Sequence, residues 1–363
     1  MKHKILILHT SVGLGHKSIA ENIGYYLSAA GYEVRLADIG KVQEGKFEKI
    51  VVGVHQFINK RLPFVWGWLY RWGHYVILPF RVFIAGFNYK LAKSFIDDFH
   101  PDLIISTQTT SSAVAAYLKK QKLYTGKFGI AFSDFHLHKY WLYNEADFYL
   151  VNISEQEQEM LRVNIAKEKI FICGIILKPK LFVDTAAVKN RLGIKDGDQV
   201  ILIGTGSLGI GFRKKNLESM LKIEKAKIVF LCGKNKKLFE DLNKLNLPNL
   251  IPLKFYQPMD ELYAIADIFV GKPGGLSTAE SLRWNLPLVV CYTLPGQEEK
   301  NLAYLSRRRL VINRPEDLAA SVGQELKTGE FRQSLKQNPE RLKVFQEGGA
   351  LTLAVKKVFD GLI

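Results

Sequence analysis

At 363 residues the chain is longer than one hydrophobic core usually serves, so two domains of about 150 to 200 residues are expected. Hydrophobic residues at 47% and charged residues at 24% exclude both a disordered chain and a multi-span membrane protein. The net charge of +16 points to an acidic counterpart: nucleic acid, anionic lipid or a phosphorylated substrate.

The opening MKHKILILHT carries an apolar run too short for a signal peptide and lacks a small-residue cleavage site, so a buried strand is expected at 5–8. The loop Thr10-Ser11-Val12-Gly13-Leu14-Gly15-His16 follows, then a helical pattern from about Lys17 to Ala30. Glycines allow close backbone approach and a helix start presents free N–H groups, so the loop suits an anion. It suits a plain tight turn with His16 as a solvated cap equally well. A second strand is expected at 34–38, VRLAD.

Between Lys49 and Ile96 there is no Asp or Glu, while seven Lys and Arg residues are spread through the window. It contains FVWGWLYRWGHYVILPFRVFIAGF, where Trp66, Trp68 and Trp72 are interleaved with Arg71 and Arg81. Tryptophan favours the headgroup level and arginine holds phosphate while its stem covers apolar surface, which predicts an interfacial membrane anchor. Pro79 and Arg81 interrupt a stretch already below the roughly 20 apolar residues of a spanning helix. The alternative is a core helix pair with its basic residues on the wet face, which the missing acids disfavour.

Strands are expected at 102–106 (DLIIS) and 128–132 (FGIAF), the latter followed by Ser133-Asp134-Phe135-His136-Leu137-His138-Lys139-Tyr140-Trp141. Asp and His at a strand's carboxyl end are placed for acid/base work; a surface loop or a metal site are the other options, the latter short of ligands. Apolar alternation lapses over CGIILKPKLFVDTAAVKNRLG, where the interdomain linker is placed. Beyond it strands are expected at 200–204, 227–233, 267–271 and 287–291. Alternating strands and helices in both halves predict two doubly wound α/β domains.

Gly204-Thr205-Gly206-Ser207-Leu208-Gly209 ends the first of these strands without the Lys-Ser or Lys-Thr of a nucleotide triphosphatase loop. The richest signal is Gly271-Lys272-Pro273-Gly274-Gly275-Leu276-Ser277-Thr278-Ala279-Glu280-Ser281, with Pro295-Gly296-Gln297-Glu298-Glu299-Lys300-Asn301 one strand later. A carboxylate inside a helix that follows a glycine turn can accept both hydrogen bonds of a ribose diol while nearby amides hold phosphate. Read blandly, Ser277 and Glu280 form a partial capping box with a solvated glutamate. Cys173, Cys232 and Cys291 show no metal or redox spacing and are expected as buried thiols. Residues 339–363 carry a helical pattern that includes Leu342, Phe345, Leu353, Val358 and Phe359.

Together KPGGLSTAES, PGQEEKN, the GSLG loop and SDFHLHKYW resemble the monogalactosyldiacylglycerol synthase and processive diacylglycerol glucosyltransferase group of glycosyltransferase family 28, relatives of the lipid I N-acetylglucosaminyltransferase. The resemblance implies two Rossmann-like domains facing a cleft, the GT-B architecture. Residues 1–178 would bind acceptor and membrane, residues 179–338 the nucleotide sugar, and 339–363 would form a C-terminal helix packing back across the domains. It implies an inverting single displacement from UDP-glucose or UDP-galactose to diacylglycerol or a glycosyl-diacylglycerol, at the cytoplasmic face of the membrane. UDP-sugar would serve as co-substrate, with no cofactor, no metal and no nucleic acid.

Carried over position by position, the resemblance makes Glu280 the ribose ligand and has Gly206, Ser207, Gly275 and Thr278 line the diphosphate. Gln297 and Glu298 would contact the sugar and Phe255 the uracil. Asp134 matches the proposed general base and His16 the histidine near the reacting centre, either of the two being able to serve as the base, and His138 and Trp141 match the acceptor pocket. Ser133, the GLGH loop and Lys254 depart from the group's usual Thr, glycine run and glycine. The competing functions are N-acetylglucosamine transfer to a polyprenyl-linked acceptor, a UDP-sugar epimerase, and a nucleotide-sugar sensor without turnover.

Overall fold

A computed structural model describes residues 2–10, 14–40, 86, 89–207, 209, 211–294, 296–313 and 315–362. The chain forms two units: residues up to Lys178 with Leu294–Gln297 and the segment from Lys343 onward, and Pro179–Thr293 with Glu298–Leu342.

The first unit is built on a parallel sheet of β1 (Lys4–His9), β2 (Glu33–Asp38), β3 (Leu103–Ser106), β4 (Lys127–Ala131), β5 (Phe148–Val151) and β6 (Ile170–Ile172), in the order β2-β1-β3-β4-β5-β6. Helices Leu14–Ala29, Thr109–Lys120 and Ser154–Leu161 connect strands. Ile5, Leu6, Ile7 and Leu8 are all fully buried, as expected of a parallel strand covered on both faces, whose sequence runs apolar without alternation. The short strand β7 (Ile175–Ile176) lies outside this sheet.

The second unit repeats the plan with β8 (Gln199–Gly204), β9 (Ala226–Leu231), β10 (Leu250–Leu253), β11 (Ile268–Gly271), β12 (Leu288–Val290) and β13 (Ile312–Asn313), all parallel, in the order β10-β9-β8-β11-β12-β13. Strands β5, β6, β7, β10 and β13 are absent from the sequence expectation. They are two to four residues long, too short for a periodic signal. Pro252 argues against a strand from sequence, yet β10 lies at the sheet edge, where a missing donor is tolerated.

The expected linker is more ordered than its composition suggests. It contains β7 and the helix Thr185–Arg191, whose first turn is capped by Asp184 Oδ1 accepting from the Ala187 N–H at 3.0 Å. The helical pattern expected over 339–363 is also corrected. A 3-10 turn at Pro339–Lys343 leads to β14 (Phe345–Gln346), and a helix begins only at Gly349. Gly348 causes the break: its φ is +82° and a Cβ there would stand 2.2 Å from the Tyr26 ring, so no other residue fits. Leu342 and Leu353 are exposed, whereas Leu351, Val355 and Val358 are buried. β14 pairs in parallel with β7, and Phe359 stacks on His3 at 4.0 Å.

Candidate functional site

In an open parallel sheet, ligands sit beyond the carboxyl ends of the two strands where the order reverses. That point lies between β1 and β3 in the first sheet and between β8 and β11 in the second. The segments leaving β1, β8 and β11 carry His16, Gly206, Ser207, Gly275, Thr278 and Glu280, whereas Asp134 follows β4, Phe255 follows β10, and Gln297 and Glu298 follow β12.

In the first unit, His16 stands in the opening turn of the helix Leu14–Ala29, and its Nδ1 lies 2.7 Å from the Thr107 carbonyl just past β3. A carbonyl only accepts, so Nδ1 carries the hydrogen and Nε2 presents a lone pair. Thr107 Oγ1 donates in turn to the His16 carbonyl at 3.1 Å. Burial pushes the imidazole pKa below its usual value, opposed by the Asp134 charge and the Thr107 hydrogen bond. The ring is therefore neutral near pH 7.

Asp134 follows β4 and is buried. Its Oδ2 accepts from Gln297 Nε2 at 2.6 Å and from the Ser133 hydroxyl at 3.4 Å. The loop backbone is held by two residues that sequence inspection missed. Gln156 Nε2 donates to the carbonyls of Asp134 at 2.9 Å and His136 at 3.0 Å, while its Oε1 accepts from the Asn152 N–H at 2.8 Å. Asn152 Nδ2 donates to the Asp134 carbonyl at 2.8 Å and to Phe132 at 3.2 Å. Both sit in VNISEQEQE, which looks like an ordinary polar helix start.

His138 Nδ1 accepts from the Tyr140 N–H at 3.2 Å and caps the turn Lys139–Trp141; its ring stacks on Tyr140 at 4.2 Å. Trp141 is 7% exposed, packed 5.1 Å from Phe132 and 6.3 Å from the His16 ring. It is a wall of the core beside His16. Trp66, Trp68, Arg71, Trp72 and Arg81 lie outside the described residues.

In the second unit, the loop after β8 turns at Gly206 and Gly209. The φ of Gly209 is +62° and a Cβ there would stand 2.4 Å from the Cys232 carbonyl, so this loop crosses the end of β9 only as glycine. After β11, the helix Gly275–Arg283 starts at Gly274 without a side-chain cap. Ser277 donates back to the Gly274 carbonyl at 3.3 Å. The Thr278 hydroxyl is buried with no hydrogen-bond partner among the described residues.

The capping-box alternative for Glu280 fails. Its Oε2 accepts from the Tyr263 hydroxyl at 3.1 Å, and burial raises its pKa to about 7 against the opposing pull of Tyr263 and Arg283. Tyr263 is itself buried and was not legible as a site residue. Asp260 accepts from both Arg283 and the Trp284 indole at 2.9 Å, bracing the same helix. Phe255, on the loop after β10, is 50% exposed, a free face for a planar ring. Lys254 beside it turns away, its ammonium 4.9 Å from the centre of the Phe239 ring.

Glu298 is buried and accepts from Lys272 Nζ at 2.8 Å. Lys272 belongs to a motif prominent in the sequence, although no role attaches to it there. Gln297, at the start of the helix Gln297–Arg307, is bonded to Asp134, as noted. Among the described residues no three His, Cys, Asp or Glu side chains converge as metal ligands, and no helix is long and apolar enough to cross a membrane.

Residues 16–177 match the family model described as monogalactosyldiacylglycerol (MGDG) synthase, and residues 200–327 match the glycosyltransferase family 28 C-terminal domain. The chain is 29% identical over 356 residues to the processive diacylglycerol beta-glucosyltransferase of Bacillus pumilus (strain SAFR-032), covering 93% of this chain and 91% of that one. To the protein of the same name from Bacillus subtilis (strain 168) it is 26% identical over 350 residues, with 92% and 90% covered. Solved structures share the fold. The UDP-GlcNAc 2-epimerase from Neisseria meningitidis bound to UDP-GlcNAc matches with a TM-score of 0.59 at 14% identity, over 99% of this chain and 100% of that one. Anabaena Alr3699/HepE in complex with UDP-glucose matches at 0.56 and 13%, over 99% of each chain.

Proposed function

Because the chain belongs to glycosyltransferase family 28, joining an MGDG-synthase domain to the family's C-terminal domain, we propose that it transfers a hexose from UDP-glucose or UDP-galactose to diacylglycerol or a glycosyl-diacylglycerol. The observation that carries the chemistry is the neutral His16 imidazole, its tautomer set by the Thr107 carbonyl. Nε2 takes the proton from the acceptor hydroxyl as its oxygen attacks the anomeric carbon. The bond to the β-phosphate oxygen breaks, that oxygen keeps the electron pair, and the anomeric centre inverts. Asp134, whose charge raises the His16 pKa, stabilises the imidazolium as it forms.

On the donor side, Glu280 accepts from the ribose diol and Phe255 stacks on uracil. Gly206, Ser207, Gly275 and Thr278 offer backbone and hydroxyl groups to the diphosphate, while Gln297 and Glu298 meet the hexose. The UDP-sugar is consumed as a co-substrate and no resident cofactor takes part. The acid-free aromatic window holds the enzyme to the cytoplasmic face of an anionic membrane, each Lys or Arg near the surface contributing about 1 kcal/mol.

The test is transfer from radiolabelled UDP-glucose, UDP-galactose and UDP-N-acetylglucosamine into lipid, with vesicles containing diacylglycerol and anionic phospholipid. Labelled glycolipid from a UDP-hexose is expected. Label from UDP-N-acetylglucosamine on a polyprenyl-linked acceptor, or release of an epimerised UDP-sugar without lipid product, would replace the proposal.

A further inference from the structure

Resting on the donor site proposed above, we infer that the Lys272 ammonium receives the donor's diphosphate and neutralises the charge that builds on it as the glycosidic bond breaks. Lys272 directly follows β11, one of the two strands at which the second sheet reverses. Its side chain reaches the glycine loop after the other. A Cβ on Gly206 would stand 3.3 Å from Lys272 Cε and 3.6 Å from Nζ, so the ammonium lies directly beside the loop backbone.

Two further features belong to the element that follows β11. The helix Gly275–Arg283 begins three residues after Lys272 with no side-chain cap on its first N–H groups. In its opening turns the Thr278 hydroxyl is fully buried and has no partner among the described residues, a cost that a ligand oxygen would remove. Cation, uncapped amides and spare hydroxyl together describe an anion cradle.

Glu298 explains how a lysine is kept ready there. The pair is largely enclosed, with side-chain exposures of 21% for Lys272 and 8% for Glu298. The Tyr292 ring lies 5.7 Å from the ammonium. A carboxylate on one side and an aromatic face on another hold a flexible side chain in one place. In the transfer step the acceptor oxygen bonds to the anomeric carbon, its proton passes to His16 Nε2, and the electron pair of the broken bond goes to the β-phosphate oxygen. Lys272 gains and loses no proton; its charge offsets that of the departing UDP.

The experiment is calorimetric binding of UDP and of uridine to the full chain and its variants. Lys272→Met should weaken UDP by about tenfold or more, the scale of a lost charge-assisted contact, while uridine binding is unchanged. Lys272→Arg should retain most of the UDP affinity. Removing the lysine alone leaves Glu298 buried without its cation, so Lys272→Met with Glu298→Gln is the companion variant and should show the same selective loss. Glu298→Gln alone should tighten UDP, because the ammonium no longer divides itself between two anions. Unchanged UDP affinity in the double variant, or equal loss of UDP and uridine, overturns the role of Lys272 and leaves the donor site standing. A wild-type chain that binds neither UDP nor uridine overturns the donor site and the lysine's role with it.

Discussion

Glu280 combines two demands that oppose each other at the scale of a single residue. A ribose diol donates two hydrogen bonds and needs an ionised carboxylate, yet burial raises the Glu280 pKa to about 7. The folded state therefore holds the proton more tightly than the unfolded chain, and this group's contribution to stability falls as pH rises from the ordinary glutamate range towards 7. Ligand binding has the opposite sign, since the diol selects the ionised form. Affinity for UDP-glucose should rise by up to about tenfold per pH unit below 7 and level off above it. Glu280→Gln should bind more weakly and without that slope. A wild-type affinity that stays flat between pH 5.5 and pH 8 would show that Glu280 does not meet the diol in its charged form.

The acid/base loop owes its shape to its neighbours. Asp134 has no regular secondary structure of its own, and its carbonyl is held from the strand-to-helix junction by Asn152 and Gln156. Truncating Gln156 removes one of the two side-chain donors to the Asp134 carbonyl, the donor to the His136 carbonyl and the acceptor of the Asn152 N–H, at a cost of about 1 to 3 kcal/mol for each group left without a partner. Gln156→Ala should therefore lower both the melting temperature and kcat while leaving UDP affinity intact, because its contacts lie in the first unit only. Gln156→Glu keeps the acceptor but loses the donor, and should recover little of either. Equal losses of UDP affinity and kcat would mean that the loop is not what Gln156 supports.

The whole molecule uses one device twice: a six-stranded parallel sheet whose order reverses once, with glycine-rich or hydroxyl-rich turns at the reversal. The last residues complete the first of these units and not the second. β14 extends β7, and the helix Gly349–Phe359 buries Leu351, Ala354, Val355 and Val358. Asn22 and Tyr26 of the first helix donate to the carbonyls of Ile176 and Leu177, each at 2.8 Å, along the same strand. A chain ending at Leu342 should show faster hydrogen exchange in the helix Leu14–Ala29 and at β7, lose transfer activity, and still bind UDP. Unchanged exchange there would mean that the C-terminal helix is dispensable to the first unit.

Two α/β sheets, the glycine turns and the four motif segments were legible in the amino-acid order. Long buried parallel strands read as unbroken apolar runs, and glycine marks the positions where a backbone must pass close to another group. Short strands such as β6 and β13 offered too few residues to show a period, and Gly348 ended a helical pattern that runs on in composition. Partnership was the part only tertiary structure could decide. Nothing in the sequence brings Thr107 to His16, Gln156 to Asp134, Tyr263 to Glu280 or Lys272 to Gly206, because each pair belongs to different elements of the chain and meets only once strands and helices are packed together. The protonation states that the chemistry needs follow from that meeting: desolvation and a particular neighbour set them, and both are properties of the folded chain.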